Sequence, residues 1–323
     1  MSTVSRLGGV LAVDLGGTKC HAVLADAQGE VLQEDYRHTA ERAEPVDVLL
    51  AVLRALRGAA EERGVAIEAV AIGIPAFIDP HTGFVVGGNN LGWHGFDLTG
   101  RLDEVLREPY VVENDVNLAA LGEARAGAGR HVDSFATVSL GTGLGGAIVV
   151  DGRLLRGSHA AAGEFGFLMA GREQLRRPGL MGMESLVGGR ALAVRARALA
   201  AADPAATELD PDTADTAAVF AAAQRADPLA GQLVEELLEH VAMTVVDITA
   251  VVDPALVVLD GSVGRALTPF LPRLAELVRP SVLCAPDLAV SALAPSAALV
   301  GAITEARRLA GAEAAPPPGL AQV

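Results

Sequence analysis

The stretch that decides the fold is LAVDLGGTKCHAVLAD, which occupies residues 11–26. Apolar residues precede and follow its Gly-Gly-Thr sequence, a pattern typical of two β-strands joined by a glycine-rich turn. A second stretch of the same kind, FATVSLGTGLGGAIVV, lies at residues 135–150. Each stretch heads a segment in which strand and helix patterns alternate. The sequence therefore predicts an α/β protein of two similar α/β domains that flank a cleft.

Helical spacing is clearest at residues 45–63, which begin at a proline and are followed by a glycine. Other helix patterns lie at residues 98–106, 116–126, 186–202, 213–222, 229–252 and 297–309. We expect a small α/β domain at residues 1–113, completed by the last helix at 296–309, and a large α/β domain at 114–295. Residues 310–323 contain the sequence Pro-Pro-Pro and are expected to form a disordered tail.

Composition excludes several classes of protein. The chain has 323 residues, 25 Lys and Arg against 40 Asp and Glu, and a net charge of −15. An acidic chain whose only lysine is Lys19 is a poor general binder of nucleic acid. Cys20 and Cys284 are too far apart in sequence to indicate a disulfide framework. No apolar stretch has the length and freedom from Asp and Pro of a membrane span, and residues 1–9 lack a signal-peptide pattern, so we expect a cytoplasmic protein.

The glycine-rich turns have features of phosphate-binding loops. Glycine lets the backbone approach a bulky anion, and consecutive N–H groups bind phosphate oxygens. A third sequence, Asp-Gly-Ser-Val-Gly at residues 260–264, follows an apolar strand and suits the sugar and base of a nucleotide. An ordinary hairpin turn is the alternative for each turn taken alone, but the three together indicate ATP. The candidate ATP-binding residues are Asp14, Gly16, Gly17, Thr18, Lys19, Gly141, Thr142, Gly143, Gly261 and Ser262.

Two polar residues of these turns have further interpretations. Asp14 ends an apolar strand, and a carboxylate there suits a Mg²⁺ ion that also contacts phosphate oxygens. We therefore expect Mg²⁺ near Asp14 when ATP is bound. Lys19 either contacts phosphate or covers a solvated strand end.

The sequence Glu113-Asn114-Asp115 lies between a predicted strand and a predicted helix. Phosphoryl transfer to an alcohol requires a group that accepts the hydroxyl proton, and Asp115 is the candidate base. Asn114 offers both a hydrogen-bond donor and an acceptor, as binding of a sugar diol requires. The alternative is that these residues only cap the helix, although a capping residue can also face a ligand.

Five stretches resemble the ROK group of sugar kinases, which shares its RNase H-like fold with hexokinases, actin and Hsp70. They are LAVDLGGTKCHAVLAD, NNLGWHGFDL, VVENDVNLAALGEARAGAG, SLGTGLGGAIVVDGRLLRGSHAAAGEFG and VVLDGSVG, and the resemblance covers about residues 10–309. It implies an ATP-dependent kinase that phosphorylates the 6-hydroxyl of a hexose such as glucose, with Asp115 as the base. It also implies a homodimer.

The same resemblance implies residues that bind the acceptor. Asn90 corresponds to an asparagine that contacts the sugar, Glu164 to a glutamate that binds ring hydroxyls, and Glu184 to a second such glutamate. The alternatives are a loop asparagine and solvated surface glutamates.

The sequence departs from the family pattern on the acceptor side. Most ROK kinases bind a structural zinc ion through one histidine and three cysteines. Phe167 stands at the histidine position, and the run at 175–184 contains no cysteine, so we expect no zinc. Packing of Leu180, Met181 and Met183 is the expected replacement.

The lost histidine also contacts the sugar in the family, and Ala76 stands where a glycine is usual. An apolar Phe167 favours a less polar acceptor. The alternative substrate is therefore a C7-cyclitol of the valiolone or valienol type, phosphorylated on its 7-hydroxyl in natural-product biosynthesis.

Two interpretations without kinase activity remain. Some ROK proteins are sugar-responsive transcription regulators, but the first glycine-rich turn begins too near the start of this sequence for a preceding helix-turn-helix domain. A sugar-binding protein without activity is disfavoured by Asp115 and the three intact turns.

Overall fold

The structure is a computed structural model that describes residues 7–39, 44–79, 82–87, 91–176 and 182–311. The first part of the chain contains eight strands and three helices among these described residues. They are β1 (Leu7–Leu15), β2 (Lys19–Asp26), β3 (Val31–His38), α1 (Pro45–Arg63), β4 (Val65–Ile74), β5 (Phe77–Ile78), β6 (Phe84–Gly87), β7 (Phe96–Asp97), α2 (Leu98–Asp103), β8 (Tyr110–Asn114) and α3 (Asp115–Ala126).

The second part of the chain continues with strands and helices from Phe135 onwards. They are β9 (Phe135–Leu140), β10 (Leu144–Val150), β11 (Arg153–Leu154), α4 (Arg172–Leu175), α5 (Glu184–Val187), α6 (Gly189–Ala202), α7 (Thr216–Gln224), α8 (Pro228–Val252), β12 (Leu256–Asp260), α9 (Gly261–Ala266), α10 (Leu271–Val278), β13 (Asp287–Val290) and α11 (Ala297–Leu309). In the described part of the chain, three short 3₁₀ helices lie at Phe165–Phe167, Thr268–Phe270 and Arg279–Ser281.

The chain divides into two compact units. The first is built on a five-stranded sheet in the order β3-β2-β1-β4-β8, in which β1, β4 and β8 are parallel and the hairpin strands are antiparallel. Helix α1 covers one face through Leu49, Leu53 and Leu56. Helices α3 and α11 cover the other face. Because both faces are covered, the strands are apolar on both sides.

The second unit is built on a sheet in the order β11-β10-β9-β12-β13, with the same pattern of antiparallel and parallel pairs. Its core combines β9, β10 and β12 with helices α6, α7, α8 and α10. The shared strand order confirms the prediction of two similar α/β domains, each headed by a strand–turn–strand segment. Among the described residues, no helix is long and apolar enough to span a membrane.

The domain boundaries differ from the predicted ones. The first unit comprises Met1–His131, Arg156–Ala162 and Ala292–Val323, and the second comprises Val132–Leu155 and Gly163–Ser291. The expected boundary after residue 113 is wrong because α3 packs directly against α11. A Cβ atom added to Gly301 would lie 1.7 Å from the carbonyl oxygen of Leu118, so only glycine permits this helix contact.

The predicted helix at 45–63 is confirmed at both ends. Gly64 stops it with a left-handed φ of 67°. The predicted helix at 186–202 is instead interrupted at Gly188, which is extended and separates α5 from α6. The small sheet β5-β6-β7 was not predicted, because its two- to four-residue strands carry too little pattern. The expected tail begins beyond α11, and residues 312–323 lie outside the described residues.

Candidate active site

The first unit brings Asp14 and Asp115 to the same edge of its sheet. Asp14 pairs with Gly73 on β4, and Gly73 pairs with Glu113 on β8. Because these strands are parallel, their carboxyl ends meet at one edge, where ligands of open α/β sheets bind. A Cβ atom added to Gly73 would lie 2.9 Å from the Cδ1 atom of Leu118, in the first turns of α3. Glycine at this position therefore permits close passage of the start of α3.

Asn114 and Asp115 form the junction between β8 and α3. The Oδ1 atom of Asn114 accepts hydrogen bonds from the N–H groups of Val116 at 2.9 Å and Asn117 at 3.3 Å, so Asn114 is the N-cap of α3. Because its oxygen caps the helix, the side chain of Asn114 would bind a ligand through its amide nitrogen, as a donor. Asp115 is the first helical residue, and its Oδ1 atom accepts from Val116 N–H at 2.9 Å.

A buried carboxylate directly precedes this junction. Glu113 is 8% exposed, and its Oε1 atom accepts from the backbone N–H of Asn114 at 3.0 Å and from the side-chain amide of Asn117 at 2.8 Å. Its Oε2 atom accepts from Nε of Arg156 at 2.6 Å. Sequence reasoning missed Arg156, because 43 residues separate the two partners and no local pattern connects them.

The first glycine-rich turn is closed by its own backbone. The N–H of Gly16 donates to the carbonyl of Lys19 at 2.7 Å, and Thr39 N–H donates to the carbonyl of Thr18 at 3.0 Å. Gly17 and Thr18 are exposed at the tip. The turn is therefore fixed at its base and open to solvent at its tip, as a phosphate-binding loop requires.

Burial and the nearby carboxylates of Asp14 and Asp35 raise the pKa of the Cys20 thiol, which follows this turn, to about 12. Cys20 is therefore a protonated core residue at neutral pH and not a nucleophile.

The second glycine-rich turn belongs to the second unit and is fixed by helix α6. The carbonyl of Gly141 accepts from Gly189 N–H at 2.9 Å, and the carbonyl of Thr142 accepts from Arg190 N–H at 3.2 Å. In a trans peptide the C=O and N–H groups point in opposite directions. The N–H groups of Thr142 and Gly143 therefore point away from α6 and form two consecutive donors.

Glu184 contacts this second turn. Its Oε2 atom accepts from Leu144 N–H at 3.1 Å. A Cβ atom added to Gly143 would lie 2.3 Å from that oxygen. The structure thus associates Glu184 with the turn predicted to bind phosphate, whereas the sequence suggested only a role in acceptor binding.

The third glycine sequence borders a cavity in the second unit. Gly261 has a left-handed φ of 81°, and a Cβ atom there would lie 2.3 Å from the carbonyl oxygen of Leu140. Ser262 lines a cavity of about 540 Å³ together with Thr216, Phe220 and Gln224. A cavity with one aromatic ring and several polar groups suits a nucleoside.

The remaining predicted acceptor residues fall in different environments. Glu164 immediately precedes the 3₁₀ helix that contains Phe167, whose side chain is 59% exposed. Ala76 is 3% exposed and belongs to the core of the first unit. Little of its methyl group is exposed in this structure, and its place in the acceptor site stays a prediction. Asn90 lies outside the described residues.

The residues at the expected zinc position do not fit a zinc site. Phe167 offers no metal ligand, and neither does Leu175, which is 70% exposed. A Cβ atom added to Gly182 would lie 2.3 Å from the carbonyl oxygen of Leu168, so a ligating side chain has no room there. The expected absence of zinc remains a prediction, which metal analysis of the purified protein tests. Of the packing residues expected to replace zinc, Met183 is fully buried, and Leu180 and Met181 lie outside the described residues.

Comparison with known proteins establishes the family. The model of the ROK family matches residues 10–308. The chain therefore belongs to the ROK family.

Individual relatives agree with this assignment. The glucokinase of Streptomyces coelicolor is 30% identical over 269 residues, which cover 80% of this chain and 83% of that protein. The crystal structure of a ROK family glucokinase from Streptomyces griseus, in complex with glucose and AMPPNP, has a TM-score of 0.77. It is 30% identical and is matched over 93% of this chain and 100% of its own.

A regulator shares the fold. A ROK family transcriptional regulator, described as a homologue of the E. coli MLC protein, has a TM-score of 0.82 at 21% identity. The match covers 94% of this chain and 78% of the regulator. At that identity the likeness shows the fold alone.

Proposed function

We propose that this chain is an ATP-dependent kinase that phosphorylates the primary hydroxyl of a hexose such as glucose. The observation that carries the proposal is the position of Asp115 directly after β8, at the carboxyl edge of the first sheet to which β1 also brings Asp14. The similarity to glucokinases of two Streptomyces species supports it. A sugar kinase is accordingly the activity that the family relationship favours.

ATP is the proposed phosphoryl donor. The turn at residues 16–18 of the first unit and the turn at residues 141–143 of the second are the proposed phosphate-binding loops. The cavity beside Ser262 is the proposed nucleoside site. Asp14 fits a Mg²⁺ ion because it is a partly exposed carboxylate at the base of the first loop, and the ion would neutralise phosphate charge there.

Asp115 is the proposed proton acceptor. It takes the proton of the primary hydroxyl as that oxygen attacks the γ-phosphorus atom of ATP, and ADP leaves. Asn114 donates to the acceptor from its amide nitrogen, because its oxygen already caps α3. Asn90 and Glu164 are proposed to bind the other acceptor hydroxyls on the basis of the family resemblance. Glu184 shapes the second phosphate loop and is retained as a candidate acceptor residue.

The test is ADP production measured with a coupled assay and a panel of acceptors. The panel contains glucose, N-acetylmannosamine and valiolone, each with ATP or polyphosphate as donor. Asp115→Asn removes the base while keeping the size of the side chain, and we expect a loss of kcat of at least about 100-fold. Asp203→Asn, at an exposed position after α6, is the matched control. Full activity of Asp115→Asn would show that the base is a different residue.

A cyclitol is the second candidate acceptor, and Phe167 favours it. An exposed aromatic side chain at the position of a sugar-binding histidine offers apolar contact to a ring that lacks the sugar's oxygen atom. Phosphorylation of valiolone with a kcat/KM well above that of glucose supports this acceptor. Phosphorylation of glucose alone excludes it. Replacement of Phe167 by histidine should shift the preference towards glucose.

The homodimer implied by the family resemblance is also a proposal. Light scattering during size-exclusion chromatography measures the mass directly, and a monomeric mass of 33.0 kDa would exclude it.

A further inference from the structure

Arg156 lies between two buried carboxylates of the first unit. Its Nε atom donates to Oε2 of Glu113 at 2.6 Å, and its Nη2 atom lies 3.4 Å from Oε1 of Glu305 on α11. The side chains of Glu113 and Glu305 are 8% and 5% exposed, whereas that of Arg156 is 43% exposed. Two buried negative charges therefore share one guanidinium group. Arg308 also pairs with Glu305, at 2.8 and 2.9 Å.

Glu113 connects Arg156 to the start of α3 through hydrogen bonds. One carboxylate oxygen binds Arg156, and the other binds the backbone N–H of Asn114 and the side-chain amide of Asn117. Asn114 and Asn117 lie on either side of Asp115 in the sequence. Glu113 is thus attached to the chain before and after Asp115, and its own orientation depends on the ion pair with Arg156. Charge-assisted hydrogen bonds of this kind are about twice as strong as neutral ones.

Arg156 is also the first residue of a short segment of chain that a backbone hydrogen bond closes on itself. Residues Arg156–Ala162 belong to the first unit, although the residues before and after them belong to the second. Ala162 N–H donates to the carbonyl of Arg156 at 3.1 Å, which closes this segment on itself. Glu164, a proposed acceptor residue, follows two positions later. The side chain of Arg156 therefore attaches this segment to the strand that leads to Asp115.

We propose that Arg156 is a positioning residue for Asp115 and acts through Glu113. The proposal rests on the proposed kinase function, in which Asp115 accepts the proton. Arg156 does not touch ATP or the acceptor in this scheme. It fixes the orientation of the Glu113 carboxylate and, with it, the backbone from Asn114 to Asn117. Loss of this restraint displaces Asp115 from the line of attack, and a displacement of about 1 Å costs about 100-fold in rate.

The test compares Arg156→Met with Arg308→Met. Both variants remove one arginine from Glu305, but only Arg156→Met removes the partner of Glu113. With glucose, or the best acceptor of the panel, Arg156→Met should lower kcat by about 100-fold and leave the KM for ATP within about threefold. Arg308→Met should keep kcat within about threefold. Equal kcat values for the two variants would overturn the proposal.

A second comparison separates positioning from general loss of folding. In a Glu113→Gln background, addition of Arg156→Met should change kcat little, because the route through Glu113 is already broken. Fully multiplicative effects of the two substitutions would show that Arg156 acts by another route. Thermal unfolding of each variant identifies any protein that fails to fold, and Arg156→Lys, which keeps the charge, should recover part of the lost kcat.

A measurement without substrate distinguishes this proposal from the proposed function. Hydrogen–deuterium exchange of the peptide that spans residues 110–120 should be faster in Arg156→Met than in the original protein or in Arg308→Met. If the original protein turns over no acceptor of the panel, the kinase assignment fails, and the exchange result still tests whether Arg156 fixes the turn. Unchanged exchange in Arg156→Met contradicts the positioning role whatever the activity.

Discussion

Replacement of Gly261 by alanine tests whether the third glycine sequence is fixed by backbone contact. Gly261 has a φ of 81°, a conformation that residues with a Cβ atom rarely adopt. An added Cβ atom would also lie 2.3 Å from the carbonyl oxygen of Leu140 and 3.1 Å from the backbone nitrogen of Gly141. These atoms belong to the end of β9 and the start of the second glycine-rich turn. The methyl group cannot be accommodated by rotation of a side chain, so backbone must move.

The expected cost has two parts. Left-handed conformation costs about 1 kcal/mol for alanine relative to glycine, and forced backbone displacement adds about 2 kcal/mol. Gly152→Ala is the matched control, because Gly152 lies in the same unit with a φ of 70° and no atom within 4 Å of its added Cβ. Gly152→Ala should lose only the conformational part of the unfolding free energy, about 1 kcal/mol.

The assay is urea unfolding monitored by circular dichroism, together with the KM for ATP. We expect Gly261→Ala to lose about 3 kcal/mol of unfolding free energy and to raise the KM for ATP, because Gly141 is displaced. Gly152→Ala should leave that KM unchanged. Equal losses of unfolding free energy in Gly261→Ala and Gly152→Ala would show that the methyl group at position 261 does not collide with Leu140. An unchanged KM for ATP in Gly261→Ala would show that displacement at this residue does not affect ATP binding by the second glycine-rich turn.

Three further predictions concern stability, reactivity and the second loop. The hydrogen bonds from Arg57 to Glu108, both 2.7 Å, lower the pKa of that carboxyl from 4.5 to about 2. Their contribution to the unfolding free energy, about 2 kcal/mol, is therefore present above pH 4.5 and lost as the pH falls towards 2. Measurement of the unfolding free energy across this pH range should show the loss, and the Arg57→Met variant should lack this pH dependence. A thiol reagent at pH 8 should label the exposed Cys284 alone, because burial raises the pKa of Cys20 to about 12; labelling of both thiols in the folded protein would contradict that burial. Glu184→Gln should raise the KM for ATP by about tenfold, because the charge-assisted bond to the second loop is weakened; a change confined to the KM of the acceptor would assign Glu184 to acceptor binding.

The sequence predicted those parts of the fold that local patterns specify. The helix at Pro45–Arg63 has a proline at its start, apolar residues on one face and a glycine at its end, and each signal acts within a few residues. The strand–turn–strand pattern predicted within residues 135–150 is observed as β9 and β10, because its apolar residues and its glycine-rich turn are also local signals. Both glycine-rich turns were recognised for the same reason.

The parts that sequence reasoning missed depend on contacts between distant residues. The pair Gly188-Gly189 is a local signal of a helix break that sequence reasoning did not use. The contact that favours glycine there lies far away in sequence, because a Cβ atom at position 188 would lie 2.9 Å from the carbonyl oxygen of Thr142. The boundary of the first unit was likewise misplaced, because the contact of α3 with α11 joins residues far apart in sequence. The burial of Ala76 in the core of the first unit could likewise not be read from neighbouring residues.

The scarce asparagines gain a physical explanation from the helix start at Asp115. The chain contains only four asparagines, at 89, 90, 114 and 117. Two of them hold this turn, because Asn114 caps α3 through its oxygen and Asn117, 3% exposed, binds Glu113 through its amide. Aspartate at 117 lacks the donor that Glu113 requires and would place a second negative charge beside a buried one. The asparagine at 117 therefore serves to hold Glu113 in place, and proton transfer in the proposed reaction is assigned to Asp115.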